Sequence, residues 1–377
     1  MSNNYEIDKI IFSPKDVDLL KSPLRDGIDE GTYVLGAFNP GLTRLPNGNL
    51  LIMVRVAEAL KENVIGGKLK VIRKPIDSKY IIDEYNLSDF YTDDPRKYLS
   101  KKHTHSKNYA LTSFSWLLPV ELSADGLNVI EIHYEKAVVP TEFYQEYGIE
   151  DARITKIDNK YYMTACCVST TRHTTVLYVS DNGLDYNCLG IILDHQNKDM
   201  VLFPERILEK YFALTRPLGD HYFISPDHSN IIGGPSINIA QSPDLLHWKP
   251  LDMPLITLRK NSKISSKVGS GAPPIKTSKG WLMLFHGVES KGEVGIYNTF
   301  WAILDLEYPE KIIRSSMENP ILTANHNLTD KLDDYKYVEN VVFTSGIVED
   351  QENYILASGE LDLYCRITYI PKEKFII

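Results

Sequence analysis

The sequence predicts an all-β protein made of repeated hairpins, and three observations support that prediction. The 22 glycines and 20 prolines separate short runs rich in Val, Ile, Tyr and Phe, which is typical of strands. Apolar residues at helical spacing are hard to find after residue 30. A hairpin-like pattern also recurs five times. With 43% apolar and 24% charged residues, the chain has the composition of a folded globular protein.

Each repeat consists of a turn residue, a large apolar or aromatic residue and then alternating side chains. A second short apolar run precedes it, as at residues 152–157 and 273–276, so each copy reads as a hairpin. Propeller blades contain four strands and about 40 to 70 residues, and five of them would occupy nearly the whole chain. We therefore predict a five-bladed β-propeller with residues 1–377 as one domain; a β-sandwich with coincidental hairpins is the alternative. The repeats are residues 48–55, 160–166, 210–216, 280–286 and 353–359.

Residues 60–108 interrupt the repeats with charged and polar stretches. Long insertions of this kind are often functional. We expect a polar excursion that covers the site or contacts a partner subunit of a homo-oligomer, with a solvated loop as the alternative. His103 and His105 lie in it, and we expect them to be solvated rather than metal ligands.

The overall composition excludes several classes of partner. The chain has 50 acidic and 41 basic side chains and a net charge of -9, which is the wrong sign for binding nucleic acid. No run approaches the roughly 18 apolar residues of a membrane helix, and the first residues lack a signal-peptide pattern. Cys166, Cys167, Cys188 and Cys365 show no metal-ligand spacing, so we expect reduced thiols and no metal site. We predict a cytoplasmic protein without nucleic acid or membrane as a partner.

The repeats place cations at equivalent positions. Three of the five residues that lie five places after the large apolar residue are basic, and in a propeller such positions meet at one axial channel. Several cations together favour a phosphate or carboxylate ligand. The alternative is that each Arg pairs with a local carboxylate, as Arg55 could with Glu58. The five residues in register are Arg55, Cys166, Arg216, His286 and Gly359.

Two adjacent acids, Glu150 and Asp151, stand at the start of the second repeat. Neighbouring buried acids cannot both ionise cheaply, so one of them is expected to keep a raised pKa and to act as a general acid. Strand alternation sends the two side chains to opposite faces, so only one should face the channel. Either acid could instead pair with Arg153. The sequence lacks the G-x-S-x-G, H-E-x-x-H, P-loop and dinucleotide-binding motifs.

At these residues the sequence resembles glycoside hydrolase family 130, the β-mannoside phosphorylases and their hydrolytic relatives. The resemblance extends over most of the chain. It implies a five-bladed propeller in which Asp151 is the general acid, with Glu150 and Arg153 beside it among the substrate contacts. The segments that carry it are residues 38–41 with 54–58, 148–154, 198–206 with 215–217, 267–276 and 285–288.

The same resemblance implies two further groups of site residues. Asn39, Arg55 and Asp362 match positions that contact the mannose at the cleaved end. Phosphate would be held by a mostly basic set, two members of which are among the in-register cations. One departure is Asn298, which follows Tyr297 where the family usually has Arg. The phosphate set is Lys198, Arg216, Lys267, His286 and Tyr297.

These observations predict an inverting phosphorylase of β-mannosides that uses inorganic phosphate as co-substrate and needs no other cofactor. An inverting hydrolase needs an acid and a base, whereas phosphate is already anionic, so one acid and a cationic cleft suffice. The resemblance favours β-1,2-linked mannobiose or short oligomannosides over β-1,4-linked ones, with α-mannose 1-phosphate as the product. A β-1,2-mannosidase and a non-catalytic glycan-binding propeller are the alternatives. His221 and Tyr222 are candidates for the acceptor side.

Overall fold

Strands form most of the secondary structure in the computed structural model, which describes residues 5–94, 96–102, 108–193, 195–218, 235–292, 294–330 and 338–375. The first strands are β1 (Asp8–Phe12), β2 (Thr32–Arg44), β3 (Leu50–Leu60), β4 (Val64–Ile65), β5 (Lys68–Arg73), β6 (Ile81–Asn86), β7 (Phe90–Tyr91), β8 (Lys97–Ser100), β9 (Tyr109–Leu111), β10 (Phe114–Leu122) and β11 (Val129–Ile132). They are followed by β12 (Ile149–Ile157), β13 (Lys160–Val168), β14 (His173–Ser180), β15 (Asn187–Leu193), β16 (Asn197–Leu202), β17 (Tyr211–Pro217), β18 (Ile237–Ser242), β19 (Lys249–Ile256), β20 (Lys267–Ser270), β21 (Ile275–Thr277), β22 (Gly280–Glu289), β23 (Ile296–Leu304), β24 (Ile312–Ser316), β25 (Val342–Asp350), β26 (Asn353–Glu360) and β27 (Tyr364–Pro371).

Helices are short throughout the described residues. The α-helix there is α1 (His326–Thr329), and the other helical elements are short 3-10 helices. The all-β prediction is therefore confirmed. The 3-10 helices are Pro14–Asp16, Leu19–Lys21, Pro23–Arg25, Leu87–Asp89, Tyr134–Lys136, Phe143–Gln145 and Lys372–Phe375.

The strands pair into five larger antiparallel sheets, which we number along the chain. Sheet 1 has the order β11-β10-β3-β2, sheet 2 β12-β13-β14-β15 and sheet 3 β16-β17-β18-β19. Sheet 4 has the order β20-β22-β23-β24, with β21 also paired to β22, and sheet 5 has the order β1-β27-β26-β25. The first and last strands of the chain are therefore partners in one sheet.

Turn chemistry explains why the predicted hairpins form. The β12–β13 loop is two residues long and begins with Asp158, whose φ is 53°. The β25–β26 loop has the same length and begins with Gln351, whose φ is 46°. Two-residue hairpin loops favour a positive φ because their twist then matches that of the strands. Between β2 and β3 the same bend is made around Gly48, with a φ of 88°.

Apolar clusters join each sheet to the next, and another joins sheet 5 to sheet 1. Strands β2 and β12 are in contact, as are β12 and β16, β16 and β20, and β25 and β2. The side chains in these clusters are removed from water, which supplies the main stabilising free energy of the fold. Representative pairs of cluster members are Met53 and Met163, Leu177 and Leu202, Leu214 and Phe285, Leu284 and Leu356, and Ile367 and Val54.

The excursion expected at residues 60–108 contains strands rather than a plain loop. Strands β4, β5 and β6 form one three-stranded sheet, and β7, β8 and β9 form another. In β5 the side chains of Leu69 and Val71 are buried while Lys68 is exposed, because alternation gives even this polar stretch one apolar face. Leu69, Val71 and Ala110 belong to a small core of their own. The sequence prediction overlooked this alternation.

In the described part of the chain, no helix has the length and apolar character needed to cross a membrane. All four cysteines have free thiols, as expected.

Candidate active site

Polar side chains cluster where β-bulges interrupt strands β2, β12 and β16 of sheets 1, 2 and 3. Asn39, Asp151 and Asp199 each lie in such a bulge, with φ values of 47°, 51° and 53°. Asn and Asp are the residues other than glycine that tolerate this left-handed conformation best. A bulge re-aims the side chain that it carries. Strands β2, β12 and β16, from three different sheets, therefore each present a polar side chain at a bulge.

The residues predicted to be in register do occupy equivalent positions. In sheets 1 to 5 these residues lie on β3, β13, β17, β22 and β26, and each pairs with a residue of the neighbouring strand β2, β12, β16, β20 or β25. This equivalence confirms the predicted register. The pairs are Phe38 with Arg55, Glu150 with Cys166, Lys198 with Arg216, Gly269 with His286, and Phe343 with Gly359.

Arg55 binds both of the adjacent acids. Its Nη1 donates to Oδ1 of Asp151 at 3.0 Å, and its Nη2 donates to Oε1 of Glu150 at 2.9 Å. The guanidinium also lies 4.9 Å from the centre of the Phe38 ring. Burial alone would lower the pKa of Arg55, but the two carboxylates raise it overall. The suggested Arg55–Glu58 pair is wrong, because Glu58 is hydrogen-bonded to other partners in the core.

The expectation that alternation separates Glu150 from Asp151 is also wrong. The bulge after Glu150 breaks the period of two, so both carboxylates reach the same guanidinium. Glu150 Oε2 accepts a second charged bond, of 2.9 Å, from Lys198. Burial would raise the pKa of Glu150, but Arg55 and Lys198 lower it overall, so this carboxylate stays ionised. The raised pKa expected for one acid of the pair does not belong to Glu150.

Asp151 is held from one side. Its Oδ1 accepts from Asn39 Nδ2 at 2.9 Å as well as from Arg55. Within the described residues Oδ2 accepts no hydrogen bond, and the side chain is 11% exposed. Asp151 therefore has a fixed position and one oxygen left for a ligand. The sequence prediction had paired the acids with Arg153 as an alternative, but Arg153 donates to the backbone carbonyl of Asp151 instead.

Asp199 lies at the centre of the cationic residues. It accepts a hydrogen bond from Arg216, and its Oδ2 lies 3.7 Å from Nε2 of His286. Burial would raise the pKa of Asp199, but the positive charges of Arg216, Arg153 and Lys198 lower it overall. Sequence reasoning did not assign Asp199 a role. Its signal was the Lys-Asp pair at 198–199, which repeats the Glu-Asp pair at 150–151 in the next sheet.

His286 is the most buried member of this cluster, with 1% of its side chain exposed. Burial, together with Arg216, Arg153 and Lys267, lowers its pKa to about 3 although Asp199 acts in the opposite direction. The ring is thus neutral at ordinary pH. Its Nε2 lies 3.2 Å from Arg216 Nη1. Among the described residues its Nδ1 has no hydrogen-bond partner.

Gly269 makes room for this cluster. A Cβ at this position would lie 2.4 Å from Cε1 of His286 and 2.5 Å from Oδ2 of Asp199. Real Cβ atoms do not approach other atoms so closely, so any larger residue would push the two side chains apart. Glycine is needed here for close packing rather than for an unusual φ.

The remaining predicted phosphate residues stand beside His286. Lys267 Nζ donates to the Tyr297 hydroxyl at 3.2 Å. The Tyr297 ring is stacked on the His286 ring with 6.0 Å between the ring centres. The structure therefore brings the five predicted phosphate residues into two adjoining groups, one around Asp199 and one around Tyr297, with Lys198 bound to Glu150.

Arg153 and Asp362, two of the predicted substrate contacts, have different surroundings. Arg153 is 1% exposed, and its Nε and Nη1 donate to the carbonyls of Gly271 at 2.6 Å and Asp151 at 2.9 Å. Asp362 lies in the β26–β27 turn with a φ of 51°, and its Oδ2 is 4.0 Å from Arg96 Nη1. Burial raises the pKa of Asp362, although Arg96 and Arg55 oppose the shift.

His103, His105, His221 and Tyr222 lie outside the described residues. Within the described ranges, ligand atoms of Glu121, Glu131 and His133 lie within 4.8 Å of one another on sheet 1. The sequence had not predicted this group.

These features describe an all-β protein in which Asp151, with one oxygen left for a ligand, is held in the same hydrogen-bond network as buried cations, an arrangement suited to acid-assisted transfer to an anion. Residues 106–376 match the family model of glycoside hydrolase family 130, which is described as beta-1,4-mannooligosaccharide phosphorylase. The chain therefore belongs to glycoside hydrolase family 130.

The chain is also similar to individual members of this family. It is 30% identical over 344 residues to a beta-1,2-mannobiose phosphorylase of Listeria innocua, covering 89% of this chain and 88% of that protein. It is 32% identical to a beta-1,2-mannobiose phosphorylase of Thermoanaerobacter sp., covering 88% and 98%. The solved structure of the Listeria enzyme with beta-1,2-mannobiose matches with a TM-score of 0.80 and 28% identity, over 97% of this chain and 96% of that chain.

Proposed function

We propose that this protein is an inverting phosphorylase that cleaves β-1,2-linked mannobiose or short oligomannosides with inorganic phosphate and releases α-mannose 1-phosphate. The observation that carries the proposal is that Asp151, fixed by Asn39 and Arg55, has one carboxylate oxygen without a hydrogen bond among the described residues and shares a hydrogen-bond network with the buried cations Arg55 and Lys198. The preference for the β-1,2 linkage rests on the relatives, which are named for β-1,2-mannobiose although the family model carries a β-1,4 description.

We propose that the five sheets are the blades of a five-bladed β-propeller that includes the whole chain, with β4–β9 inserted between β3 and β10. The apolar clusters between consecutive sheets and between sheets 5 and 1 support this arrangement. The pairing of β1 with β27 in sheet 5 would close the ring. Strands β2, β12, β16, β20 and β25 would then surround one axis. This arrangement explains why bulge residues of different sheets, such as Asn39 and Asp151, meet.

In this proposal Asp151 is the general acid. Its unbonded Oδ2 would deliver a proton to the glycosidic oxygen, directly or through a sugar hydroxyl, as the C1–O bond of the mannoside breaks. An oxygen of phosphate forms the new bond to C1 from the opposite face, so the configuration inverts and Asp151 is left as a carboxylate. No base is needed because the nucleophile arrives as an anion.

Glu150 is not suited to the role of a hydrolytic base. Both of its oxygens accept charged bonds, from Arg55 and Lys198, and its lowered pKa makes it a weak base. An inverting hydrolase needs a carboxylate with room to activate a water molecule. We therefore assign Glu150 the role of holding Arg55 and Lys198 in place, which disfavours the β-1,2-mannosidase alternative.

Phosphate would be held by Lys198, Arg216, Lys267 and His286, with Tyr297 at its edge. Lys198 and Arg216 each spend part of their hydrogen-bonding capacity on a carboxylate, and a lysine has three donors and an arginine five, so donors remain for an oxyanion. Mannose would contact Asn39, Arg55 and Asp362. Arg153 would position Asp151 through the backbone rather than touch the sugar.

The proposal requires inorganic phosphate as co-substrate and no other cofactor. The free thiols agree with the predicted cytoplasmic location. Assembly into a homo-oligomer stays a prediction.

The experiment that tests the proposal is an assay of β-1,2- and β-1,4-mannobiose with and without inorganic phosphate, with separate detection of mannose 1-phosphate and free mannose. We expect mannose 1-phosphate from the β-1,2 disaccharide only when phosphate is present. Free mannose at the same rate without phosphate would favour the mannosidase. Binding of the disaccharide without turnover would favour the glycan-binding propeller.

A further inference from the structure

The turn that carries Asp362 is bonded to two strands of the candidate active site. The carbonyl of the residue after Asp362 accepts a hydrogen bond of 2.9 Å from the backbone of Ala37, which stands two positions before Asn39 on β2. The backbone of the residue before Asp362 donates to the carbonyl of Val341 at 2.8 Å, and Val341 forms a parallel bridge with Tyr297. Asp362 therefore lies between the strands of Asn39 and Tyr297.

Arg96, the residue before β8, reaches this turn from the inserted β7–β9 sheet. Its Nη1 lies 4.0 Å from Oδ2 of Asp362, and the two side chains are 26% and 17% exposed. On its other edge Arg96 donates from Nε and Nη2 to the two carboxylate oxygens of Asp94, at 3.0 Å each. Such a bidentate pair fixes the plane of the guanidinium. Nη1 thus has a defined position beside Asp362.

The separation of Arg96 Nη1 from Asp362 Oδ2 leaves room for a ligand atom. A distance of 4.0 Å is too long for a hydrogen bond, and among the described residues Nη1 donates none. Two hydrogen bonds of about 2.8 Å each can meet at one oxygen when their far ends are 4.0 Å apart. That oxygen must accept from Arg96 and carry a proton for Asp362. A hydroxyl group does both.

The charges around Arg96 favour a neutral ligand over phosphate. The positive charge of Arg96 is already offset by Asp94 and Asp362. Burial would lower the pKa of Arg96, but these two carboxylates raise it overall. A phosphate at this point would be repelled by both carboxylates, whereas a hydroxyl carries no net charge. A sugar hydroxyl therefore suits the gap better than the co-substrate does.

We propose that Arg96 is a further sugar-binding residue, which together with Asp362 binds one hydroxyl of the mannose that is transferred to phosphate. This inference rests on the proposed function, in which Asp362 contacts that mannose. It adds a residue of the insertion to the site, so that the β7–β9 sheet forms part of the sugar subsite. Neither the repeats nor the family motifs point to Arg96, since it lies in the insertion.

The chain offers a matched control in Arg73 on β5. Arg73 forms the same kind of bidentate pair, from Nε and Nη2 to Asp83, and its side chain is 27% exposed. Its Nη1 also lies near a second carboxylate, 3.8 Å from Oε2 of Glu146. Replacing Arg73 or Arg96 by Gln removes one charge and one bidentate pair in each case. Only the Arg96 change removes a donor beside Asp362.

The test is steady-state kinetics of the full chain, in both directions of the reaction, for wild type, R96Q and R73Q. In phosphorolysis we expect R96Q to raise the KM for β-1,2-mannobiose about tenfold or more, as for the loss of a charged hydrogen bond, while the KM for phosphate stays unchanged. In synthesis from α-mannose 1-phosphate and mannose, R96Q should raise the KM for α-mannose 1-phosphate but not for mannose. R73Q should match wild type.

Equal KM values for mannobiose in folded R96Q and R73Q would overturn the role of Arg96, because only solvent would then lie between Arg96 and Asp362. A raised KM for the acceptor mannose instead of α-mannose 1-phosphate would also overturn it, since Arg96 would then bind the other sugar unit. A parallel rise in the KM for phosphate and for mannobiose would overturn it as well, because it indicates a general distortion of the site. Wild-type protein that releases no mannose 1-phosphate would contradict the proposed function itself.

Circular dichroism spectra identify a variant that fails to fold. If R96Q is such a variant, R96K and its control R73K supply the comparison. A lysine keeps the charge but cannot bond both oxygens of Asp94 and a hydroxyl from one planar group, so R96K should also raise the KM for mannobiose. An unchanged KM for mannobiose in R96K would then overturn the proposal.

Discussion

Arg55 and Asp151 stand 96 positions apart in the chain and are joined by a hydrogen bond of 3.0 Å between neighbouring sheets. The same guanidinium binds Glu150, which in turn binds Lys198 of the next sheet. The acid and one of the phosphate cations are therefore parts of a single rigid network. In the proposed mechanism this network sets the distance between the proton donor and the nucleophile, which is the main requirement when the protein supplies no base.

The first prediction concerns the acid. Asp151→Asn keeps the shape and the tolerance for positive φ but removes the proton, so kcat should fall about 100- to 10,000-fold while the protein stays folded. Steady-state phosphorolysis and circular dichroism measure the two effects. Asp158→Asn is the matched control, because Asp158 has a similar φ of 53° at the other end of the same strand. Normal turnover by D151N would contradict the role of Asp151.

The second prediction concerns the geometry of Arg55. Arg55→Lys retains the charge, but an ammonium cannot donate to Glu150, Asp151 and Ser115 from one planar group. We expect kcat/KM to fall about 10- to 100-fold, corresponding to one or two charged hydrogen bonds. Arg314→Lys, an exposed position on β24, should have no effect. If R55K and R314K had the same kcat/KM, the site would need the positive charge of Arg55 and not the geometry of its guanidinium group.

The third prediction concerns Gly269. Gly269→Ala would place a methyl group 2.4 Å from His286 and 2.8 Å from Cδ of Arg216, so both side chains must move. The KM for phosphate should rise and Tm should fall, with a cost of about 1 to 3 kcal/mol as for other overpacked cores. Gly31→Ala is the control, since its Cβ would meet only the flexible side chain of Lys61. An unchanged KM for phosphate in G269A would place the phosphate elsewhere.

The fourth prediction concerns pH. His286 has a folded-state pKa of about 3, against 6.5 for the free side chain. Between these values the unfolded chain binds a proton at this residue that the folded chain does not. Its contribution to the free energy of unfolding is therefore fully present above pH 6.5 and is lost as the pH falls, by up to about 1.4 kcal/mol per pH unit.

Thermal unfolding of wild type and His286→Gln between pH 7 and 5, without phosphate, measures this contribution. The Tm of wild type should decrease more steeply toward low pH than that of H286Q. His247→Gln, at an exposed position, should follow wild type. Identical pH dependence in wild type and H286Q would show that His286 is not held neutral by its surroundings.

The sequence predicted the parts of the structure that depend on local patterns. Alternation and turn residues place Arg55, Arg216 and His286 at equivalent strand positions, and the structure confirms that register. The segment with Glu150 and Asp151 was also recognised from its residues. Such features depend on residues within one hairpin, which is why a single sequence reveals them.

Other parts of the site depend on contacts between sheets or on breaks in a pattern. Strict alternation would place Glu150 and Asp151 on opposite faces of the strand, but the bulge at Asp151 brings both side chains to the same face. The spacing of the two residues in the sequence does not indicate this bulge. Asp199 acquires its importance only through Arg216 and His286, the latter 87 positions further along the chain and on another sheet.

The most direct test of the central claim, that phosphate replaces a catalytic base opposite Asp151, is the configuration of the first product. Wild-type protein is mixed with β-1,2-mannobiose and inorganic phosphate, and proton and phosphorus NMR spectra are recorded while the reaction proceeds. The account predicts α-mannose 1-phosphate, formed by attack on the face opposite the leaving group. Phosphorolysis of mannobiose also releases one free mannose, the leaving group, for each mannose 1-phosphate. β-Mannose 1-phosphate, or free mannose released without mannose 1-phosphate at saturating phosphate, would contradict the account.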